Sequence, residues 1–134
     1  MVHKLTLSTH TRMCFIDITQ NIQTLINDNQ IKSGAALVFV PHTTAGVTIN
    51  ENGDPDVRTD LTTALSRAVP NRDFRHYEGN SDAHTKALLT GSSVSLIIED
   101  GRLLLGTWQS VYFAEFDGPR ARKVYIKILE DSLT

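Results

Sequence analysis

The sequence holds 134 residues, with 13 basic and 15 acidic side chains and a formal charge of -2. That length suits one domain spanning 1–134 with a core of its own, and the near balance of charge offers no overall attraction to nucleic acid. A single cysteine, Cys14, allows neither an intrachain disulfide nor a thiolate metal cluster.

Cys14 lies among Met13, Phe15 and Ile16, so it reads as a buried, inert thiol in a reducing compartment. The opening MVHKLTLSTHTR has no apolar h-region, and no window reaches 18 uninterrupted apolar residues. The expectation is a cytoplasmic chain, neither secreted nor membrane-spanning.

Residues His3 to Ser8 carry the alternation of a strand, followed by a second from Arg12 to Ile16. The period then changes. Ile18, Ile22, Leu25 and Ile26 form one helical face, with Asp17 or Thr19 able to cap it and Gly34 beyond an end near Lys32. Ala35 to Val40 is a continuous apolar run closed by Pro41, the pattern of a buried strand that delivers His42, Thr43 and Thr44.

Val47 and Ile49 restore period two. Asp54 as cap and Pro55 at N1 open a second helix along Val57, Leu61, Ala64, Leu65 and Ala68, ended by Pro70. Asn71 to Asp82 is irregular; Ser81 or Asp82 then caps a short helix with His84, Ala87, Leu88 and Leu89, ended at Gly91. Four strand segments follow: Val94 to Ile98, Leu103 to Leu105, Trp108 to Phe116 and Arg122 to Leu129. The turns between them include Asp100-Gly101, a hairpin signal, and Asp117-Gly118-Pro119. Trp108 reads as a brace for the sheet, or else as a shield over a ligand.

This order predicts an α+β fold: packed antiparallel β-sheets, sandwich-like, with two main helices and one short helix. The apolar strand surface exceeds what those helices can cover, so a second sheet or neighbouring subunits must cover the rest.

Three polar islands stand out against these apolar runs: 42–51, 76–84 and 115–120. His42, His76 and His84 are candidate ligands for a divalent metal, most simply zinc, since imidazole suits that ion. Their spacing is no compact metal motif and HEXXH is absent, so only folding could assemble the site. Otherwise His42 is a hydrogen-bonded residue at the end of a core strand, His84 packs through its ring, and His76 is exposed.

Glu51, Glu78 and Glu115 are candidate acid–base groups, against the alternative of solvated acids. Glu115 interrupts an apolar strand and so calls for a polar partner. Thr43, Thr44 and Arg120 could bind phosphate, with Gly46, Gly106 and Thr107 as further contributors. No P-loop or GxGxxG is present. Arg122, Lys123 and Lys127, alternating with Val124, Ile126 and Ile128, read as the wet face of the last strand.

The segments HTTAGVTINE, EGNSDAHTKALLTGSS and LLLGTWQSVYFAEFDGPR closely resemble the YjbQ-like family, over about Phe39 to Arg122. The resemblance implies an α+β fold of packed antiparallel sheets, a homotrimer and a metal in a histidine-containing pocket. It also implies a secondary thiamine-phosphate synthase activity, in which a pyrimidine diphosphate couples to a thiazole phosphate and releases pyrophosphate. Carried onto this chain, the family positions are His42, Glu51, His76, Glu78, His84, Glu115 and Arg120. Two alternatives stand beside the synthase: a metal-assisted hydrolase, and a non-enzymatic trimer binding a metal or a phosphorylated metabolite.

Overall fold

The computed structural model describes residues 1–76 and 79–132. Its strands are β1 (Val2–Ser8), β2 (Cys14–Asp17), β3 (Gly34–Phe39), β4 (Ala45–Glu51), β5 (Ser93–Glu99), β6 (Arg102–Leu103), β7 (Gln109–Glu115) and β8 (Ala121–Glu130). The helices are α1 (Thr19–Asp28), α2 (Pro55–Ala68) and α3 (Ser81–Thr90). All pairings are antiparallel, in a five-stranded sheet ordered β1-β8-β3-β5-β6 and a three-stranded sheet ordered β2-β7-β4. The expected α+β class and element order are what the chain adopts.

The inner faces of both sheets meet in one core. Ala36 and Val38 of β3, Leu96 and Ile98 of β5, and Val124 and Ile126 of β8 face Val47, Val111 and Phe113, and Ile22 and Ile26 of α1 fill the same space. Strand β7 is central and buried on both sides. Val111 and Phe113 enter that core, while Ala114 and the following Phe116 enter a second one with Ala83, Met13, Phe15 and Leu65, under α2 and α3. The layers are therefore five-stranded sheet, shared core with α1, three-stranded sheet, then α2 and α3.

Local chemistry explains most boundaries. Helix α1 stops at Asp28 rather than near Lys32, because Gln30 turns to φ 53. Asp17 still serves its start, accepting the Thr19 N–H at 2.9 Å. Asp54 accepts the Asp56 N–H at 2.9 Å with Pro55 at N1, the predicted start of α2. Asp100 and Gly101 both take positive φ, 53 and 76, as the tight hairpin between β5 and β6 requires. Trp108 corrects its expectation: it is 64% exposed beside Gly53 rather than a brace inside the sheet.

The helices depart from simple amphipathicity. No residue of α2 is fully buried. Helix α3 matches α1 in length, 10 residues each, so it is not the short one. It also inverts the expected face, burying Asp82, Ala83 and Lys86 while Leu88 and Leu89 stand 79% and 61% exposed. Neither Ser81 nor Asp82 caps it; Asn80 holds that position, without a side-chain capping bond. The outer face of the five-stranded sheet is likewise bare, carrying exposed Leu37, Phe39, Ile97 and Leu129.

Candidate functional site

The Asp117–Pro119 turn carries the chain from the three-stranded sheet into the five-stranded one, folding Glu115 at the end of β7 against Arg122 near the start of β8. Arg122 corrects the wet-face reading: it is 5% exposed, and its Nε donates to Glu115 Oε1 at 2.8 Å while Nη2 engages Oε2. Nη2 also donates to Thr44 Oγ1 at 2.8 Å. Thr9 Oγ1 donates to Glu115 Oε1 at 2.7 Å, and the Asp117 N–H reaches Oε2 at 3.1 Å. Burial alone would raise the Glu115 pKa. The bonds from Arg122, Thr9 and Asp117 outweigh it and hold the carboxyl below its ordinary range.

The missed signal for Arg122 was parity. It shares its register with Val124 and Ile126, both fully buried, whereas Lys123 and Lys127 lie on the opposite, exposed face.

A second ionic chain lies alongside. Arg12 clamps Asp82 through two bonds of 2.9 Å, and Lys86, one helical turn on, reaches the same carboxylate at 3.2 Å. The Arg12 hydrogen bonds, more than any other influence, take the Asp82 pKa down to about 2, and Arg12 itself is raised by the same bonds. Asp117 accepts from Asn80 and from Arg120, each at 3.0 Å. The Asp82–Lys86 spacing of four was the only sequence sign of this network.

His42 follows β3 and lies over β8, where its Nε2 accepts the Lys123 N–H at 3.0 Å. Burial first, then the Arg122 and Lys123 charges, hold it below the ordinary imidazole value. The neutral ring therefore carries its proton on Nδ1. His42 and His84 line one cleft of about 320 Å³, together with Thr43 and Ser92. The His76 and His84 rings stand edge-on, 5.8 Å between centroids.

The expected site is thus brought together in part. His42, Thr43 and His84 share the cleft, and His76 adjoins His84. Thr44 and Glu115 sit behind it, engaged by Arg122, and Arg120 is held by Asp117. Glu51 pairs opposite Gln109 at the far end of β4 from Ala45, about 20 Å along a strand of 7 residues. Glu78 lies outside the described residues. In kind, three imidazoles suit a zinc-like ion, but among the described residues no three His, Cys, Asp or Glu groups are arranged to hold a metal. Two further concavities, about 620 and 700 Å³, run along α1 away from these groups.

Two antiparallel sheets joined over a buried carboxylate–guanidinium pair, with a histidine-lined cleft beside it, define the class. The family model described as UPF0047 protein YjbQ-like matches residues 3–131, and the chain belongs to that family. It is 52% identical to the UPF0047 protein MJ1081 of Methanocaldococcus jannaschii, over 98% of this chain and 96% of that one. It is 48% identical to YugU of Bacillus subtilis, over 96% and 99%. A crystal structure of a YjbQ/UPF0047 protein from Clostridium acetobutylicum superposes with a TM-score of 0.93 at 52% identity, covering 95% of this chain and 99% of that one. A hypothetical protein from Aeropyrum pernix does so at 0.92 and 31% identity, covering 98% and 99%. Among the described residues no helix is long and apolar enough to cross a membrane.

Proposed function

We propose that this chain is a metal-dependent enzyme that acts on a phosphorylated small molecule in the cleft between His42 and His84. The supporting observation is that both imidazoles and the Thr43 hydroxyl line one concavity, with His76 beside His84. His42, His76 and His84 would hold a divalent ion, by donor chemistry zinc, which would polarise a phosphoryl oxygen of the ligand. Holding it through Nε2 would oblige His42 to release the Lys123 N–H.

The finer reading is the synthase reaction. The bond from a pyrimidine's methylene carbon to its diphosphate breaks as a thiazole phosphate nitrogen attacks that carbon, releasing pyrophosphate. Such a reaction chiefly needs the leaving group's charge stabilised. Thr43, which lines the cleft, would donate to the ligand. Glu115, with both oxygens engaged, serves as a positioning residue behind His42. Acid–base duty then falls to Glu78, two positions after His76, or to Glu51 supplied across a subunit contact.

Homotrimerisation belongs to the same proposal. The exposed Leu37, Phe39, Ile97 and Leu129 form an apolar sheet face that also carries Lys4, Lys123 and Lys127. Covering the apolar part of that face, on β3, β5 and the end of β8, with a neighbouring subunit would leave the β1–β8 edge with Lys4 and Lys123 outside the contact.

The test is product analysis on tag-free protein supplied with each divalent metal, the pyrimidine diphosphate and the thiazole phosphate. Coupled thiamine phosphate supports the synthase, and orthophosphate without coupling selects the hydrolase. Ligand binding with no turnover in any metal replaces the enzyme with a binding protein.

A further inference from the structure

We infer that the groove between β1 and β8, beside His42, is an oxyanion subsite in which Lys4 and Lys123 neutralise a phosphoryl or diphosphoryl group and the Thr6 and Ser8 hydroxyls donate to it. The inference rests on the reading of the His42 cleft as a site for a phosphorylated small molecule, and names where its phosphate sits.

The register of β1 on β8 builds the groove. Thr6 lies opposite Lys123 and Ser8 opposite Ala121, so period two puts Lys4, Thr6, Ser8 and Lys123 on the same outer face. The resulting hollow, about 290 Å³, is lined also by His42 and has no carboxylate in its lining. That volume is at the small end of ligand pockets.

The charges there are uncompensated. Among the described residues neither Lys4 nor Lys123 joins an ion pair, whereas Arg122, which also lines the groove, is matched by Glu115. Lys123 Nζ lies 5.9 Å from the Tyr125 ring, a contact that leaves its charge in place. Among the same residues the Thr6 and Ser8 hydroxyls have no hydrogen-bond partner in the chain. The groups expected to bind phosphate are, by contrast, largely spent: Thr44 on Arg122, Arg120 on Asp117.

His42 links this groove to the histidine cleft, since it lines both. Without metal, Nε2 accepts the Lys123 N–H and the Nδ1–H remains as a donor to an anion. A molecule with a phosphate in the groove would thus extend past His42 towards His84. An acidic lining would repel such an anion, whereas paired lysines with neutral donors retain it by charge-assisted bonds.

The experiment is calorimetric titration of the full chain with pyrophosphate, without added metal. Variants are Lys4→Gln/Lys123→Gln together, and Lys127→Gln, on the same face but outside the groove. Light scattering accompanies each. The double variant should bind roughly tenfold or more weakly, while Lys127→Gln binds as wild type. Unchanged binding in the double variant overturns the subsite but leaves a phosphorylated ligand in the cleft possible. Loss of binding together with a change in assembly mass also overturns it, because the lysines would then serve the subunit contact. No pyrophosphate binding by wild type removes the subsite and the phosphorylated-ligand reading together. Lysine-dependent binding with no turnover of any phosphorylated substrate keeps the subsite and removes only the enzyme.

Discussion

Arg122 and Glu115 form a forked pair at the junction of the two sheets, 5% and 0% exposed, with Thr9 and Thr44 taking up the bonds the fork leaves over. Glu115→Gln leaves the guanidinium buried without a counter-charge, and should cost on the order of 3 kcal/mol. A double change, Glu115→Leu with Arg122→Met, removes both charges and should recover part of that loss. Urea unfolding of the two proteins decides it. A single variant as stable as wild type would mean that water reaches the pair.

Acid should weaken the fold through two carboxylates. Asp82 and Glu115 both have folded pKa values below their ordinary ones, so the folded state binds fewer protons and is favoured at neutral pH. That advantage is intact above an ordinary carboxyl pKa near 4 and is lost as pH falls towards about 2. Asp82 accounts for about 2 kcal/mol of it. Urea midpoints at about pH 7 and about pH 3 should therefore separate by less in Asp82→Asn than in wild type. Equal separations would remove Asp82 from the acid response.

Lysine 86 offers a contrast between neighbours. Its ammonium is buried, yet Asp82 keeps two bonds from Arg12 when Lys86 is replaced. Lys86→Met should cost about 1 kcal/mol or less, because an apolar chain of similar length fills the space. Asp82→Asn leaves the buried Lys86 without a counter-charge and releases the clamp on Arg12, and should cost more at neutral pH. Thermal denaturation gives the order directly, and the reverse order would show that the lysine, not the arginine, holds the carboxylate.

Gly118 has no room for a side chain. A Cβ there would run into the Thr11 carbonyl and lie 2.8 Å from Thr9 Oγ1 and 3.0 Å from Glu115 Cγ. Gly118→Ala should therefore push the turn off Thr9 and lower stability by about 1–3 kcal/mol. The expected signature is a shift of the Thr9 and Glu115 resonances in NMR spectra, and an unshifted spectrum would count against the close approach.

How far the sequence carried depended on the range of each interaction. Alternation in 93–99 and 121–130 foretold strands because a period of two is written locally. Asp54 with Pro55, and Asp100 with Gly101, likewise act within a few residues. Helix α3 misled because its Leu88 and Leu89 suggest burial, whereas Arg12, 70 positions from Asp82, makes the polar side the inner one. The candidate site was legible as three islands of unusual chemistry. Their arrangement was not, since it is the pairing of β4 with the distant β7 that sets Ala45 opposite Glu115 and Glu51 opposite Gln109.

One amide ties the dry interior to the surface groove. The N–H that orients His42 belongs to Lys123, and the peptide carrying it begins at the carbonyl of Arg122, whose side chain is locked on Glu115. Because that peptide unit is planar and stiff, the bearing of the imidazole is inherited from the clamp beneath it. Turning the ring away from that amide gives up one hydrogen bond, about 1 kcal/mol, and leaves the clamp beneath it untouched.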